Sequence, residues 1–262
     1  YVLDMIGGNT FIVGASQYGK TAMLQLIIRG LAEQYTPDEV SLYILDFASM
    51  ALKIFDDLAH VGGVVTASDD VTLQTFFRMM AKEIAIRKEK MSKLGLASFG
   101  SYKEAGHTDL PFIVVMLDNI TAFRELYEAF DDEFLNMTRE GLAVGVNVVV
   151  TTAQTRSLGY KYLSNFANRI ALYCNSKDEY NTMFERCRME PKDTPGRALI
   201  TLSKELYEYQ NYLPFEGEKE IDRVNSIKSF IGEVGKQTTQ RARRIPEVPD
   251  LLTPEYIEEN LD

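Results

Sequence analysis

"GASQYGKTA", residues 14–22, is the stretch that decides how this chain folds. From Gly14 to Thr21 it satisfies G-x-x-x-x-G-K-[ST], and each fixed residue type meets a physical need. Glycines let the backbone turn tightly enough for successive N–H groups to converge on phosphate oxygens, and the positive end of a following helix adds to that field. Lys20 supplies a point charge for β- and γ-phosphates, and the Thr21 hydroxyl is a Mg²⁺ ligand. The flanks agree with this. "NTFIVGA" (9–15) is a short apolar strand, and "KTAMLQLIIRGLAEQY" (20–35) carries a helical stripe at Met23, Leu24, Ile27, Ile28 and Leu31 that stops at Thr36-Pro37. The expected cradle for ATP with Mg²⁺ is Gly14, Ala15, Ser16, Gln17, Tyr18, Gly19, Lys20, Thr21 and Ala22. The plainer alternative is a glycine-rich turn without a ligand, which the strand-loop-helix context disfavours.

Working outward, strand-like and helix-like blocks alternate, the mark of a parallel α/β sheet. "VSLYILDF" (40–47) and the shorter "GGVVTA" (62–67) read as strands. A long helix is expected to start at Ser68-Asp69-Asp70 and stop at Gly95. "FIVVMLD" (112–118) and "VNVVVTT" (146–152) are nearly continuous apolar and β-branched runs, as central strands covered on both faces require. One helix from about 121 to 140 is expected between them, and "NRIALYC" (168–174) reads as another central strand. After Gly196 the pattern alternates around Ser203-Lys204, which predicts an antiparallel hairpin followed by a helix over 218–234. The fold class is a three-layer α/β/α P-loop domain, mainly parallel, over residues 1–235. Residues 236–262 are expected to form a tail or linker.

A phosphate cradle that drives hydrolysis needs a strand-end aspartate for the Mg²⁺ water shell, and in many cases a glutamate beside it to polarise the attacking water. Asp118 closes "FIVVMLD" and fits the first role, with a plain helix cap as its bland alternative. Asn119 stands where the glutamate belongs, and an amide accepts no proton at neutral pH. Loss of a positioned base costs about 10²–10⁴-fold in rate. Binding is therefore expected to survive and turnover to be very slow. Glu125 or Glu128 could substitute, although their spacing argues against it.

Composition narrows the rest. The 262 residues carry a formal net charge of −10, which discourages a tight grip on nucleic acid. The one basic run, "RARR" (241–244), reads as a solvated tail or linker. No apolar run approaches the ~20 residues of a membrane-spanning helix. Cys174, Cys187, His60 and His107 lack metal-ligand spacing, so free thiols in a reducing cytosolic compartment are expected. The chain begins "YVLDMIGGNT", without an initiator Met, and reads as a piece of something longer.

Together the motifs resemble FtsK/SpoIIIE-type ATPases, and within them the coupling ATPases of type VII (ESX) secretion, the EssC/EccC group. The resemblance spans roughly residues 9–215. It rests on the cradle, "LYILDFASMAL" with "LAHVGGVVTASDD", "FIVVMLDNI", "EGLAVGVNVVVTTAQTRS", "NRIALYCNSKDEYNTMF" and "PGRALI". It implies that Lys20 and Thr21 contact phosphate and magnesium, that Asp118 is the Walker B aspartate, and that Gln154 is the polar sensor. It also implies partners, namely sister ATPase domains and small helical-hairpin (ESX/WXG100-type) substrates, and a place at the cytoplasmic face of the membrane within a larger anchored protein. The departures are Asn119, Leu142 in place of an arginine, and Ser16, Gln17 and Tyr18 in place of small residues. These resemble degenerate domains in which ATP is a regulatory ligand. The rival readings are an active ATP-driven DNA or protein motor, and an interaction domain with a vestigial cradle. DNA is an unlikely partner given the charge, Asn119 and Leu142.

Overall fold

The structure is a computed structural model that describes residues 3–157, 159–202 and 204–247. In chain order its elements begin with β1 (Thr10–Val13), α1 (Lys20–Gln34), β2 (Val40–Asp46), β3 (Val61–Thr66), α2 (Asp70–Lys93) and α3 (Phe99–Glu104). The middle of the chain gives β4 (Phe112–Asp118), α4 (Ile120–Leu126), α5 (Asp131–Glu140), β5 (Val146–Thr152) and α6 (Gly159–Leu163). The last elements are β6 (Asn168–Leu172), α7 (Lys177–Phe184), β7 (Arg197–Leu202), β8 (Glu205–Gln210) and α8 (Glu220–Gln237).

Among the described residues the strands form one sheet in the order β3-β2-β4-β5-β1-β6-β7-β8. It is parallel from β3 to β6, and the last two strands run antiparallel. Every residue of β1 to β5 is buried, which is why these segments read as unbroken apolar runs rather than alternating ones. A parallel sheet needs crossover helices, and these cover both faces. The β7–β8 hairpin lies at the far edge of the sheet, as the sequence predicts; β7 still buries Ala198, Leu199 and Ile200 in a row, and only β8, with no fully buried residue, has the exposed pattern of an edge strand. Of its turn, Ser203 lies outside the described residues, and Lys204 takes a left-handed φ of 71°.

Buried amides tie the N-terminal segment under β5. Asn147 donates to the carbonyls of Met5 and Gly8 at 2.7 and 2.8 Å, while Asn9 accepts from Val148 N at 2.9 Å and donates to Thr138 O at 2.8 Å. Each bond satisfies a buried group that would otherwise cost about 1–3 kcal/mol. This locks the start of β1 and so fixes where the cradle emerges.

Two expectations need correcting. The helix over 121–140 is two helices, α4 and α5, separated by Tyr127 (φ −133°) and a single 3-10 turn, Glu128–Phe130. No glycine or proline marks the break. The Tyr127 ring packs on Phe47 at 5.5 Å and its hydroxyl donates to Ala67 O at 2.7 Å, so tertiary contact wins over helix continuity. Three acids at the head of α5, Asp131 to Glu133, suit a helix start and were a readable signal. The second correction is the "RARR" run. It is not a solvated tail, because Ala242 and Ile245 are buried and their N–H groups donate to Ala59 O and Gly62 O at 2.9 and 3.0 Å. Residues 248–262 of the expected tail lie outside the described residues.

Candidate functional site

The parallel strands bring three chain segments to one edge of the sheet. β1 lies between β5 and β6, and the ladder continues into the loop: Gly14 N donates to Thr152 O at 3.1 Å and Ala15 N to Tyr173 O at 2.8 Å. Beyond them the loop turns through Gln17 (φ 68°) and Gly19 (φ 102°) into α1. Gly19 makes no side-chain cap, and no acid occupies the first turn of α1. The leading amides of this 15-residue helix therefore point out of the loop with neither a capping side chain nor a carboxylate, an arrangement that suits an anion.

Lys20 folds over this cup. Its Nζ donates to Gly14 O at 2.8 Å and Ala15 O at 2.9 Å, two of the three bonds an ammonium can make, with one left for a phosphate oxygen. Burial pulls its pKa below the ordinary lysine range, partly countered by the charge of Asp118. Thr21 Oγ1 donates to Asp118 Oδ2 at 2.7 Å, so the two expected magnesium ligands meet although 97 residues apart in sequence. Asp118 is buried, which pushes its pKa up. Nearby Asp46 raises it further, while the bonds from Thr151 and Thr21 and the charge of Lys20 oppose the shift. A divalent cation would relieve that burial penalty directly. The uncapped amides, one ammonium and a hydroxyl–carboxylate pair thus fit a magnesium-bound triphosphate.

Asn119 is the departure that matters. It sits at φ 72°, ψ 72°, a left-handed conformation that asparagine tolerates, and caps α4 by accepting from Ala122 N at 3.4 Å. Its amide donates to Phe47 O at 3.4 Å and its backbone N–H to Thr151 Oγ1 at 3.0 Å. Asn119 is therefore engaged with its own helix and a neighbouring loop. Glu125 and Glu128 are exposed, on α4 and the turn after it.

Tyr18 does not project into the cup. Its ring stacks on Tyr173 (centroids 4.6 Å apart), its hydroxyl bonds Asp193, and its carbonyl accepts from Gly196 N at 3.0 Å. The Asp193 carboxylate, chiefly through that hydrogen bond, pushes the phenol pKa up to about 12. Ser16 and Gln17 are exposed at the loop tip. Gln154 lies just beyond β5 beside the cradle, exposed, with its backbone pinned by the Thr152 hydroxyl at 3.3 and 3.0 Å. Leu142 lies at the opposite end of β5 from the cradle.

Two participants were missed from the sequence. Thr151 is buried, donates to Asp118 Oδ1 and receives Asn119 N, so it orients the whole strand end. The Thr-Thr closing β5 was its only signal. Asp46 ends β2 in register with Asp118 and accepts from Ala48 N and Leu52 N at 3.1 and 2.9 Å, which shapes the next loop.

Fold and site together define a P-loop ATPase domain. Residues 2–200 match the FtsK/SpoIIIE family, and the chain belongs to that family. It is homologous to the ATPase domains of type VII secretion proteins. It is 27% identical over 259 residues to the type VII secretion system protein EssC of Staphylococcus aureus strain Mu50, and 25% identical over 251 residues to the ESX secretion system protein YukB of Bacillus subtilis strain 168. These alignments cover 97% and 95% of this chain but only 17% of either relative. Among solved structures, ATPases 2 and 3 of Geobacillus thermodenitrificans EssC share the fold with a TM-score of 0.86 at 24% identity, covering 96% of this chain and 48% of that one. ATPases 2 and 3 of Thermomonospora curvata EccC, in complex with a signal sequence peptide, share it at 0.87 and 22%, covering 97% and 47%.

Proposed function

We propose that this chain is an ATP-binding, hydrolysis-impaired ATPase domain of a type VII secretion coupling protein, acting in substrate recognition and regulation of export. The observation that carries the reading is the contrast between neighbours. Asp118 meets Thr21 at the mouth of an uncapped helix, while the next residue is an amide committed to capping α4. In this reading the amides of Gly19 to Ala22 and Lys20 hold the β- and γ-phosphates. Thr21 and Asp118 hold Mg²⁺, which supplies charge neutralisation between the phosphates. Gln154 is positioned beside the cradle to sense the γ-phosphate. No carboxylate next to Asp118 takes a proton from water, so nucleotide acts as a ligand more than a fuel.

Partners follow from the relatives. Two of the matched structures comprise ATPases 2 and 3, and this chain covers about half of each, which supports sister ATPase domains as its neighbours. The EccC structure with a signal sequence peptide supports ESX/WXG100-type helical substrates as its cargo. A matched structure described as the cytoplasmic domain of EssC supports a place at the cytoplasmic face of the membrane within a longer anchored protein. Residues 1–235, expected as the ATPase unit, then extend through the end of α8 and the segment packed against β3 to Ile245, and the link or tail follows.

Calorimetry with Mg-ATP tests the binding claim: wild type is expected to bind with micromolar-to-millimolar Kd, and Lys20→Ala to lose it. Identical heats for both proteins refute it. Steady phosphate release above about one per second refutes the impaired site.

A further inference from the structure

Helix α2 buries Leu73, Phe76, Phe77, Met80, Ile84 and Met91 at the spacing of an apolar stripe, and Arg87 stands in that stripe where another apolar residue is due. Its side chain is fully buried, so each N–H of the guanidinium fork needs a partner. Nε donates to Glu83 Oε1 at 2.7 Å, and Nη1 donates to Pro111 O and Val144 O at 2.9 and 3.2 Å. Nη2 has no partner among the described residues. An arginine that only tied loops together would have its whole fork engaged, because a buried unpaired donor is costly. Here one end of the fork is left over, and Arg87 forms part of the wall of a cavity of about 500 Å³.

The cavity lies at the starts of β2 and β4, between Ser41 and Tyr43 of β2, Pro111 and Ile113 at the head of β4, and Met79 and Met80 of α2. The cradle is at the other end of these same seven-residue strands, about 20 Å away. Methionines make a wall that adapts to an apolar body. Arg241 and Arg243 also line the cavity, and their exposure marks its open side. Its carboxylates are largely committed. Glu83 serves both Arg87 and, at 3.5 Å, Arg243, while Asp109 is taken by Lys90 and by the Tyr102 hydroxyl at 2.6 Å. Three arginines thus line a space in which one carboxylate serves two of them. A partly apolar cavity of this size with a convergent charged donor has the make-up of a small-molecule site.

We infer that this cavity is a binding site for a small organic carboxylate, with its anionic end on Arg87 Nη2 and an apolar body against Met79, Met80 and Ile113. A carboxylate oxygen accepting from a guanidinium makes a charge-assisted bond, stronger than any a neutral ligand could offer there. A dianionic phosphate would bring twice the charge close to Glu83. The site stands independently of the proposed nucleotide chemistry.

Calorimetry of the full chain with hexanoate and phenylacetate, each against its alcohol, hexanol and phenylethanol, tests this. At least one acid is expected to bind saturably with Kd on the order of 100 μM, and its alcohol at least tenfold more weakly. Met80→Trp, which fills the cavity, should abolish acid binding. Arg243→Glu, on the exposed side, should weaken it at least fivefold and decides alone if the tryptophan variant does not unfold cooperatively. In Arg87→Met the preference for acid over alcohol should vanish, a ratio that a folded but merely less stable protein would keep. Lys20→Ala should bind the acid as wild type does. The inference is overturned if neither acid binds saturably, if the alcohols bind as tightly as the acids, or if Arg243→Glu leaves acid binding unchanged. An undiminished acid preference in Arg87→Met overturns it too, as does loss of acid binding in Lys20→Ala, which would put the acid in the nucleotide cup.

Discussion

Replacing Asn119 by glutamate restores the acid that hydrolytic P-loops carry, yet the structure predicts a cost without a gain in rate. The residue sits at φ 72°. There a non-glycine residue pays about 1–2 kcal/mol, a penalty from which asparagine is largely excused because its short side chain bonds locally. The same substitution removes the acceptor that caps α4 at 3.4 Å, a long bond worth about 0.5 kcal/mol, the low end for such caps. The sum is about 2 kcal/mol, or about 4–8 °C in Tm for a domain of this size. Thermal unfolding followed by circular dichroism reads it, with two controls. Asn119→Gly accepts the positive φ and should lose only a few tenths of a kcal/mol. Asn119→Asp keeps the cap and the conformation, loses only the long amide bond to Phe47 O, and should cost less than the glutamate. Phosphate release by the glutamate variant should stay within about tenfold of wild type, well short of the 10²–10⁴ a positioned base supplies. If the glutamate variant is as stable as wild type, or turns over about 10²-fold faster, the argument from backbone conformation fails.

Asp118→Asn should abolish any Mg-ATP-induced rise in Tm, and should also flatten the pH dependence of the ligand-free domain. Burial raises the folded-state pKa of Asp118, so its stabilising share is full below the unfolded value and is lost as pH rises through the folded one, from about pH 4 upward. Thermal scans at stepped pH compare the two proteins, and parallel curves would refute this. Tyr18→Ala should change Mg-ATP affinity by less than about threefold, because the ring rests on Tyr173 and not over the cup; a tenfold tightening by calorimetry would mean that the phenol blocks entry. Arg87→Met should cost about 3–5 kcal/mol in urea unfolding. The guanidinium is fully buried, pairs with Glu83 at 2.7 Å, and donates to Pro111 O and Val144 O at 2.9 and 3.2 Å. A loss below about 1 kcal/mol would mean those carbonyls find other partners.

The parts of this fold that could be read from sequence are those in which one local pattern has one structural solution. Runs such as Phe112–Asp118 can be buried on both faces only within a parallel sheet, and Gly14 to Thr21 has the spacing of a phosphate loop wherever strand and helix flank it. What escaped depends on contacts between distant segments. The break at Tyr127 comes from Phe47 and Ala67, and Thr151 matters only because β5 lies beside β4. "RARR" was misread for the same reason. A basic run is soluble on its own, and only the carbonyls of Ala59 and Gly62, with Asp56 and Glu83 beside its arginines, turn it into a packed segment. Gln154 was placed by position and lies beside the cradle, but position alone does not assign its side chain a role.

The consequence of Asn119 is as much geometric as chemical. A site can keep its nucleotide and lose its turnover in two ways: by removing the base, or by committing the position to structure. Here both coincide. Asp118 and Thr151 are joined side chain to side chain, Asn119 is joined to Thr151 through its backbone, and its side chain starts α4. A glutamate at this position must first break the cap that orients α4, whose Phe123 packs against Phe47 and Phe77. The strand end that carries Asp118 is therefore also the seat of a packed helix. In the proposed reading, occupancy of the cup would reach α4 through Asp118 and Asn119 without any bond in the nucleotide being broken. A domain built this way is suited to report that nucleotide is bound, which is the property a regulatory ATPase domain needs.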